Sequence, residues 1–468
     1  MKKHRLLCLF LCLIMCLAVP VEAAAGDSSV TAGCHSVDAA LPLADSGRLT
    51  DTAKAAIVYE LGSDTMVYSW NPDEKIYPSS MVKLMTALVA LEKGDLEEKV
   101  AVTKRALNLM QAGSVSAGLM AGEEMKLLDL LYCLMVASAN DAALVIAEHI
   151  GGNQDIFITM MNEKAAQLGC TGTRYSNAHG LHDEETYTTA RDICRIMEYA
   201  LENDTFRALF TAESYTVPAT NKSEERKIWT TNYMRTTHGN RTYYDARVTG
   251  GKTGSTDEAG RCLVATAESG NMALLTIVMG AKPVYSADGL SVERFGSFEE
   301  TRELLDYTFE NYERRQIFFP GQILTQLPVE QGANSVAAGA QVSAFTILPK
   351  KLETEQLVWR YGTSGSVTAP VELGQTLSSV QAWFGNKCLA QTELVAMNAV
   401  GVYRPEEPVE KPDKVDGTAI WLTILILVGA VVALALLSLG VLYAIRIVRK
   451  VTIDMRRRRR RKNRRRSR

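Results

Sequence analysis

Tyr77-Pro78-Ser79-Ser80-Met81-Val82-Lys83-Leu84-Met85-Thr86 opens a helical pattern on a serine and sets a lysine three residues into it. Met81, Leu84, Met85 and Leu88 recur at helical spacing, so a helix is expected from Ser80 to Glu92. Positions i and i+3 share a helix face, which brings the Lys83 amine within reach of the Ser80 hydroxyl. At a helix start Ser80 also sits where free N–H groups stabilise an oxyanion. A serine hydroxyl is a weak nucleophile until a base takes its proton. A partly desolvated lysine near another cation has a lowered pKa and can serve as that base. Ser79 stands beside Ser80, so the nucleophile is assigned by its spacing to Lys83. Alone, the pair fits an ordinary capped helix equally well.

Working outward, two later triplets give the pair its context. Ser138-Ala139-Asn140 separates two expected helices, Glu124–Met135 and Asp141–Ile150. By itself it is a turn with capping residues; in a site it supplies a hydroxyl relay and an amide. Lys252-Thr253-Gly254 follows Gly250-Gly251 and precedes an expected hairpin, Arg261–Ala267 with Met272–Met279. By itself it is a surface turn; on an edge strand its cation and hydroxyl suit a peptide carboxylate, and its glycine lets a substrate backbone approach. Ala246 to Thr253 nearly matches a phosphate-binding loop, but Ala246 replaces the first glycine and strands follow where a helix is required. The ordered set Ser-x-x-Lys, Ser-x-Asn, Lys-Thr-Gly is far more specific than any part, and it marks penicillin-binding proteins and class A β-lactamases.

On these residues the chain resembles the low-molecular-mass penicillin-binding proteins, and within them the serine D-alanyl-D-alanine carboxypeptidases, where alanine is usual in the middle motif. Asn177-Ala-His-Gly-Leu181, Thr231-Asn232 and Arg294-Phe295 support the likeness, which covers about residues 40–312 strongly. The resemblance implies an α+β penicillin-binding/β-lactamase-like transpeptidase fold: an antiparallel sheet with a helical subdomain. It also implies roles. Ser80 attacks the penultimate D-alanine carbonyl of a peptidoglycan stem pentapeptide, and Lys83 is the base. Ser138 and Asn140 assist proton transfer and substrate placement. Lys252 and Thr253 of the Lys252–Gly254 strand bind the terminal carboxylate, and the N–H groups of Ser80 and Ser255 form the oxyanion hole. β-Lactams would acylate Ser80 and stall. Arg294 is a weaker candidate for the carboxylate, with a surface ion pair as its simpler reading. No cofactor or metal is expected. His179 and His182 lie near Asp183 and Glu184 but lack a second ligand pair at metal spacing, so they read as loop histidines.

The two ends place this chemistry. Lys2, Lys3 and Arg5 precede an apolar run, Leu6 to Val19, and Ala23–Ala25 offer a cleavage site, so residues 1–25 read as a signal peptide. Residues 417–445 carry no charge and are long enough to span a bilayer. After them, 446–468 hold fourteen basic residues and one acid, Asp454. Basic flanks stay cytoplasmic, which puts the body on the extracytoplasmic face and leaves the tail for anionic lipid headgroups, with no nucleic-acid partner. The overall charge of −2 thus hides an acidic body and a basic end. Between the ends we expect a spacer (26–50), a peptidase domain (51–313), a β-rich domain (314–404) and a Pro-bearing linker (405–416). Cys34, Cys133, Cys170, Cys194, Cys262 and Cys388 outlast cleavage; their spacing shows no disulfide framework, and buried thiols fit at least as well. Two other functions compete. A class A-like β-lactamase needs a deacylating Glu-x-x-Leu-Asn after Ser138, which is missing, and a non-catalytic penicillin-binding sensor would not need all five motif residues intact.

Overall fold

A computed structural model describes residues 47–287, 292–362, 365–385, 387–405 and 417–464. The expected signal peptide, most of the spacer and nearly all of the linker lie outside the described residues.

Strand β1 (Ala55–Glu60) is buried at every position, which a strand covered on both faces requires. It turns through Leu61–Asp64 into β2 (Thr65–Trp70). With β3 (Val248–Thr256), β4 (Gly260–Ser269) and β5 (Met272–Ala281) these form an antiparallel sheet in the order β2-β1-β5-β4-β3. Side chains alternate across the strands. Ile57, Tyr59, Val264 and Ile277 enter one apolar core, whereas Ala56, Val58, Leu263 and Val278 enter another. The first core belongs to helices α1 (Val82–Lys93), α2 (Leu127–Met135), α3 (Asn140–Gly151), α4 (Gln154–Gln167), α5 (Ala190–Ala200) and α6 (Asp204–Thr211). The second belongs to α7 (Gly296–Asn311). The Lys-Thr-Gly strand, β3, is an outer strand of the sheet, so one side of its backbone faces the helical subdomain without a ladder partner.

Two local expectations change. Glu124–Lys126 is a strand paired with Lys99–Ala101, and the helix starts only at Leu127. Of the three residues only Met125 is buried, a two-residue alternation too short to register against the helical run behind it. Helix α4 was not anticipated, because few of its residues face inward: Phe157, Met161, Lys164 and Ala165. Its start is nonetheless written in the sequence, since the Asn153 side chain accepts from the Ile156 N–H at 2.9 Å.

Beyond α7 the chain is β-rich. Tyr312–Phe318 pairs with Ala344–Pro349, and five further strands form a sheet ordered Ile323–Leu327, Val336–Ala340, Lys387–Ala396, Thr376–Phe384, Val358–Tyr361. The core under α7 continues into this region through Phe318, Ile347, Leu348 and Leu394. Arg314 adds a polar tie: its guanidinium donates to the Gly62 carbonyl, and its own carbonyl accepts from Asn271. Residues up to Val402 accordingly cluster as one unit, and Tyr403–Arg468 as another. In the second unit one helix, Gly417–Arg464, runs 48 residues, about 72 Å at 1.5 Å per residue. That exceeds a ~30 Å hydrocarbon core, so the helix continues past the apolar stretch into the arginine-rich segment. Cys133, Cys170, Cys194 and Cys262 are buried free thiols, and Cys388 is disulfide-bonded.

Candidate active site

Ser80 lies in a single 3₁₀ turn, Ser79–Met81, that runs directly into α1. Ser79 holds a left-handed backbone at φ 49°, uncommon for a residue with a side chain, and among the described residues its buried hydroxyl has no hydrogen-bond partner. Such strain persists only where the surroundings over-determine it. Here they do. Gly180 packs so tightly on this turn that an added Cβ would sit 2.1 Å from the Ser79 carbonyl oxygen, and Gly180 itself has φ 84°. A Cβ at Gly254 would come within 3.0 Å of the Pro78 carbonyl and 3.3 Å of the Ser80 nitrogen. Two glycines from distant segments therefore let the Asn177–Leu181 loop and β3 close on the nucleophile turn.

Lys83, one helical turn on, is fully buried. Its Nζ is 3.0 Å from Ser80 Oγ and donates to the His179 carbonyl at 2.6 Å. Burial, then the nearby Lys252 charge, hold its pKa well below the usual lysine value, against a weaker opposing pull from Asp141. Ser138 lies in the α2–α3 connection with φ 58°. Lys252 Nζ donates to Ser138 Oγ at 2.7 Å and to the Thr253 carbonyl at 3.0 Å. Burial alone brings the Lys252 pKa down to about 7. Asn140 is buried at the first turn of α3, its N–H on the Val115 carbonyl at 2.8 Å. Thr253 Oγ1 shares a 2.5 Å hydrogen bond with Thr231 Oγ1. Gly251 makes room for Asn232, whose amide nitrogen would lie 2.3 Å from an added Cβ. Ser80, Ser138, Thr231, Thr253, Gly254 and Ser255 all line one cleft of about 200 Å³. Two serines, each held by a buried lysine, thus face an edge strand across a small polar opening, an arrangement suited to attack on an acyl carbon followed by proton delivery to a leaving group.

The family model for D-alanyl-D-alanine carboxypeptidase matches residues 44–283, just over half of the chain. The chain belongs to this family. Residues 312–402 match a second model, the C-terminal domain of penicillin-binding protein 5. The chain is 30% identical to D-alanyl-D-alanine carboxypeptidase DacA of Haemophilus influenzae, over 75% of this chain and 86% of that protein. It is 29% identical to DacF of Bacillus subtilis, over 74% and 86%. The crystal structure of penicillin binding protein 5 from Haemophilus influenzae superposes with a TM-score of 0.59 at 29% identity, covering 76% of this chain and 99% of that one. The protein is thus an enzyme of a serine hydrolase family, with a penicillin-binding protein 5-like fold and a β-rich C-terminal domain.

Within this carboxypeptidase-family site, several features escaped sequence reasoning. Asp141 accepts from Ser116 Oγ and from the N–H groups of Ala117 and Leu119, so it clamps the loop that borders Asn140. His179 serves through its carbonyl; its ring nitrogen Nδ1 accepts from the Leu181 N–H, and burial beside Lys83 lowers its pKa to about 4. It is a neutral loop histidine, and His182 packs edge-on against Tyr77. Among the described residues no Asp, Glu, His or Cys cluster could hold a metal. Arg294 is exposed and donates through Nε and Nη2 to the two carboxylate oxygens of Glu299, at 2.7 and 2.9 Å. Its neighbour Phe295, on the alternate side of the short strand Val292–Phe295, lines the cleft. A larger cavity of about 450 Å³, bordered by Leu61, Asp64, Glu198 and Thr249, contains none of the three motifs.

Proposed function

We propose that the chain is a serine-type D-alanyl-D-alanine carboxypeptidase that removes the terminal D-alanine of peptidoglycan stem pentapeptides through an acyl-enzyme on Ser80. The observation that carries this reading is a fully buried Lys83 amine 3.0 Å from Ser80 Oγ. Neutral Lys83 takes the hydroxyl proton as Ser80 Oγ bonds to the penultimate D-alanine carbonyl carbon. The N–H groups of Ser80 and Ser255 receive the oxyanion. As the C–N bond breaks, Ser138 passes a proton to the departing amine and receives in turn the proton that Lys83 took from Ser80, which returns Lys83 to its neutral form. Asn140 positions the substrate amide, while Lys252 and Thr253 hold the terminal carboxylate. Water, deprotonated by Lys83, then attacks the ester and frees Ser80.

A β-lactam follows the first half of this path, leaving a penicilloyl ester on Ser80. Among the described residues the cleft lining contains no carboxylate to drive its hydrolysis, which favours a carboxypeptidase over a β-lactamase. The five intact motif residues favour catalysis over sensing. The signal sequence, the apolar helix and the arginine-rich end support a single-pass protein whose body works on the extracytoplasmic side of the cell membrane.

Ser80→Ala is expected to abolish both D-alanine release from diacetyl-lysyl-D-alanyl-D-alanine and covalent labelling by fluorescent penicillin. Labelling that survives in the purified variant would assign the nucleophile elsewhere, to Ser79 first.

A further inference from the structure

Besides the two lysines buried behind its serines, the site has a third cation, and this one lines the cleft. On β3, Thr253 and Ser255 are two residues apart and so project from one face. Ser255 pairs directly with Arg261 on β4, and Thr253 with Leu263. Arg261 therefore leaves the sheet on the same face as Thr253, at the diagonal position, within reach of a long side chain. It lines the cleft together with Ser80, Thr253 and Phe295. Its guanidinium lies 5.1 Å from the centre of the Phe295 ring. Packing on a ring fixes the plane of the guanidinium and leaves its N–H edge free.

What this group lacks is an anion. Among the described residues it has no hydrogen-bond or ion-pair partner, and the cleft lining contains no Asp or Glu. The other cations are committed. Lys83 holds Ser80 and the His179 carbonyl, Lys252 holds Ser138 and the Thr253 carbonyl, and Arg294 is tied to Glu299. Lys252, with its pKa near 7, is also a poor permanent charge. A half-buried arginine on an aromatic ledge, beside a pair of hydroxyls and facing an opening without acids, is the donor set for one incoming carboxylate.

We propose that Arg261, with the Thr231–Thr253 hydroxyl pair, docks the terminal carboxylate of the peptide, and that Arg294 does not. This rests on the carboxypeptidase reading above and changes one assignment in it: Lys252 serves Ser138, and Arg261 supplies the charge that selects a free C-terminus.

The test compares an acid with its ester. Benzylpenicillin carries a carboxylate where the peptide does, and benzylpenicillin methyl ester does not. In the full-length enzyme in detergent, Arg261→Gln is expected to slow acylation by benzylpenicillin by about 10- to 100-fold, as loss of a charged hydrogen bond implies. The ester should change by less than about threefold, and Arg261→Lys should recover part of the acid rate. Loss of kcat/KM on diacetyl-lysyl-D-alanyl-D-alanine should parallel the acid. An equal loss on acid and ester would make Arg261 merely structural and overturn the proposal, as would an acid-selective loss in Arg294→Gln in place of Arg261→Gln. A wild-type enzyme that penicillin acylates but that frees no D-alanine would sink the carboxypeptidase reading, while the acid-against-ester comparison still decides Arg261.

Discussion

Two lysines buried beside two serines are costly to keep. Lys252 titrates near 7 in the folded chain, against ~10.4 for a lysine in water. Between those values the unfolded chain binds the extra proton, so stability rises with pH across that window, and the penalty is fully present below about pH 7. Lys252→Met keeps the volume and removes the titration. We expect it to unfold at a higher temperature than wild type at pH 6, by of the order of 2 kcal/mol once two lost hydrogen bonds are allowed for. The gap should close as pH approaches 10, with D-alanine release abolished throughout. A variant less stable than wild type at pH 6 would show that the hydrogen bonds to Ser138 and Thr253 outweigh desolvation. Residue-scale legibility was uneven. Ser80 and Lys83 could be read because helical spacing alone brings them together. The His179 carbonyl on Lys83 could not, since a carbonyl leaves no mark in the sequence. Arg261 read only as the first residue of a hairpin strand, because its role depends on the register with Ser255 and on the ring of Phe295.

At the scale of elements, the decisive fact is how the Asn177–Leu181 loop and β3 converge on the turn before α1. Gly180 is the closest of these contacts. Gly180→Ala would force a side chain into a φ of 84° and onto the Ser79 carbonyl, a combination costing about 2 kcal/mol or more. We expect a lower thermal midpoint together with at least tenfold slower acylation by penicillin; an unchanged acylation rate would mean that the loop does not fix the serine turn. The hairpin, the capped α5 and the helical start at Ser80 were legible because each carries its own period or cap. Thr189, for instance, accepts from the Asp192 N–H at 3.1 Å. Glu124–Lys126 and α4 were not, because tertiary pairing decided the first and a mostly polar face disguised the second.

For the whole molecule, a catalytic stretch followed by a β-rich one was legible from composition; the family matches at 44–283 and 312–402 overlap the expected 51–313 and 314–404 and begin seven and two residues earlier. Their junction was not, since apolar residues on short strands do not announce which neighbour they cover. A chain ending after Arg404 removes the apolar helix and its basic end while leaving the unit that contains the cleft. It is expected to partition into the aqueous phase of a detergent extraction and to release D-alanine from the soluble peptide at the full-length rate. A severalfold loss of rate would give the terminal helix a part in catalysis beyond anchoring.

The apolar core that runs from α7 into Phe318, Ile347 and Leu348 has a consequence for how such a chain can change over time. A module joined only by a tether can be exchanged by recombination with little regard for its neighbour. Here an exchanged β-rich half would have to arrive with a matching apolar seam, and with an arginine placed to reach Gly62, or it would leave the apolar residues at the junction uncovered. In this chain the two halves share that seam, so a change in the apolar face of either is felt by the other.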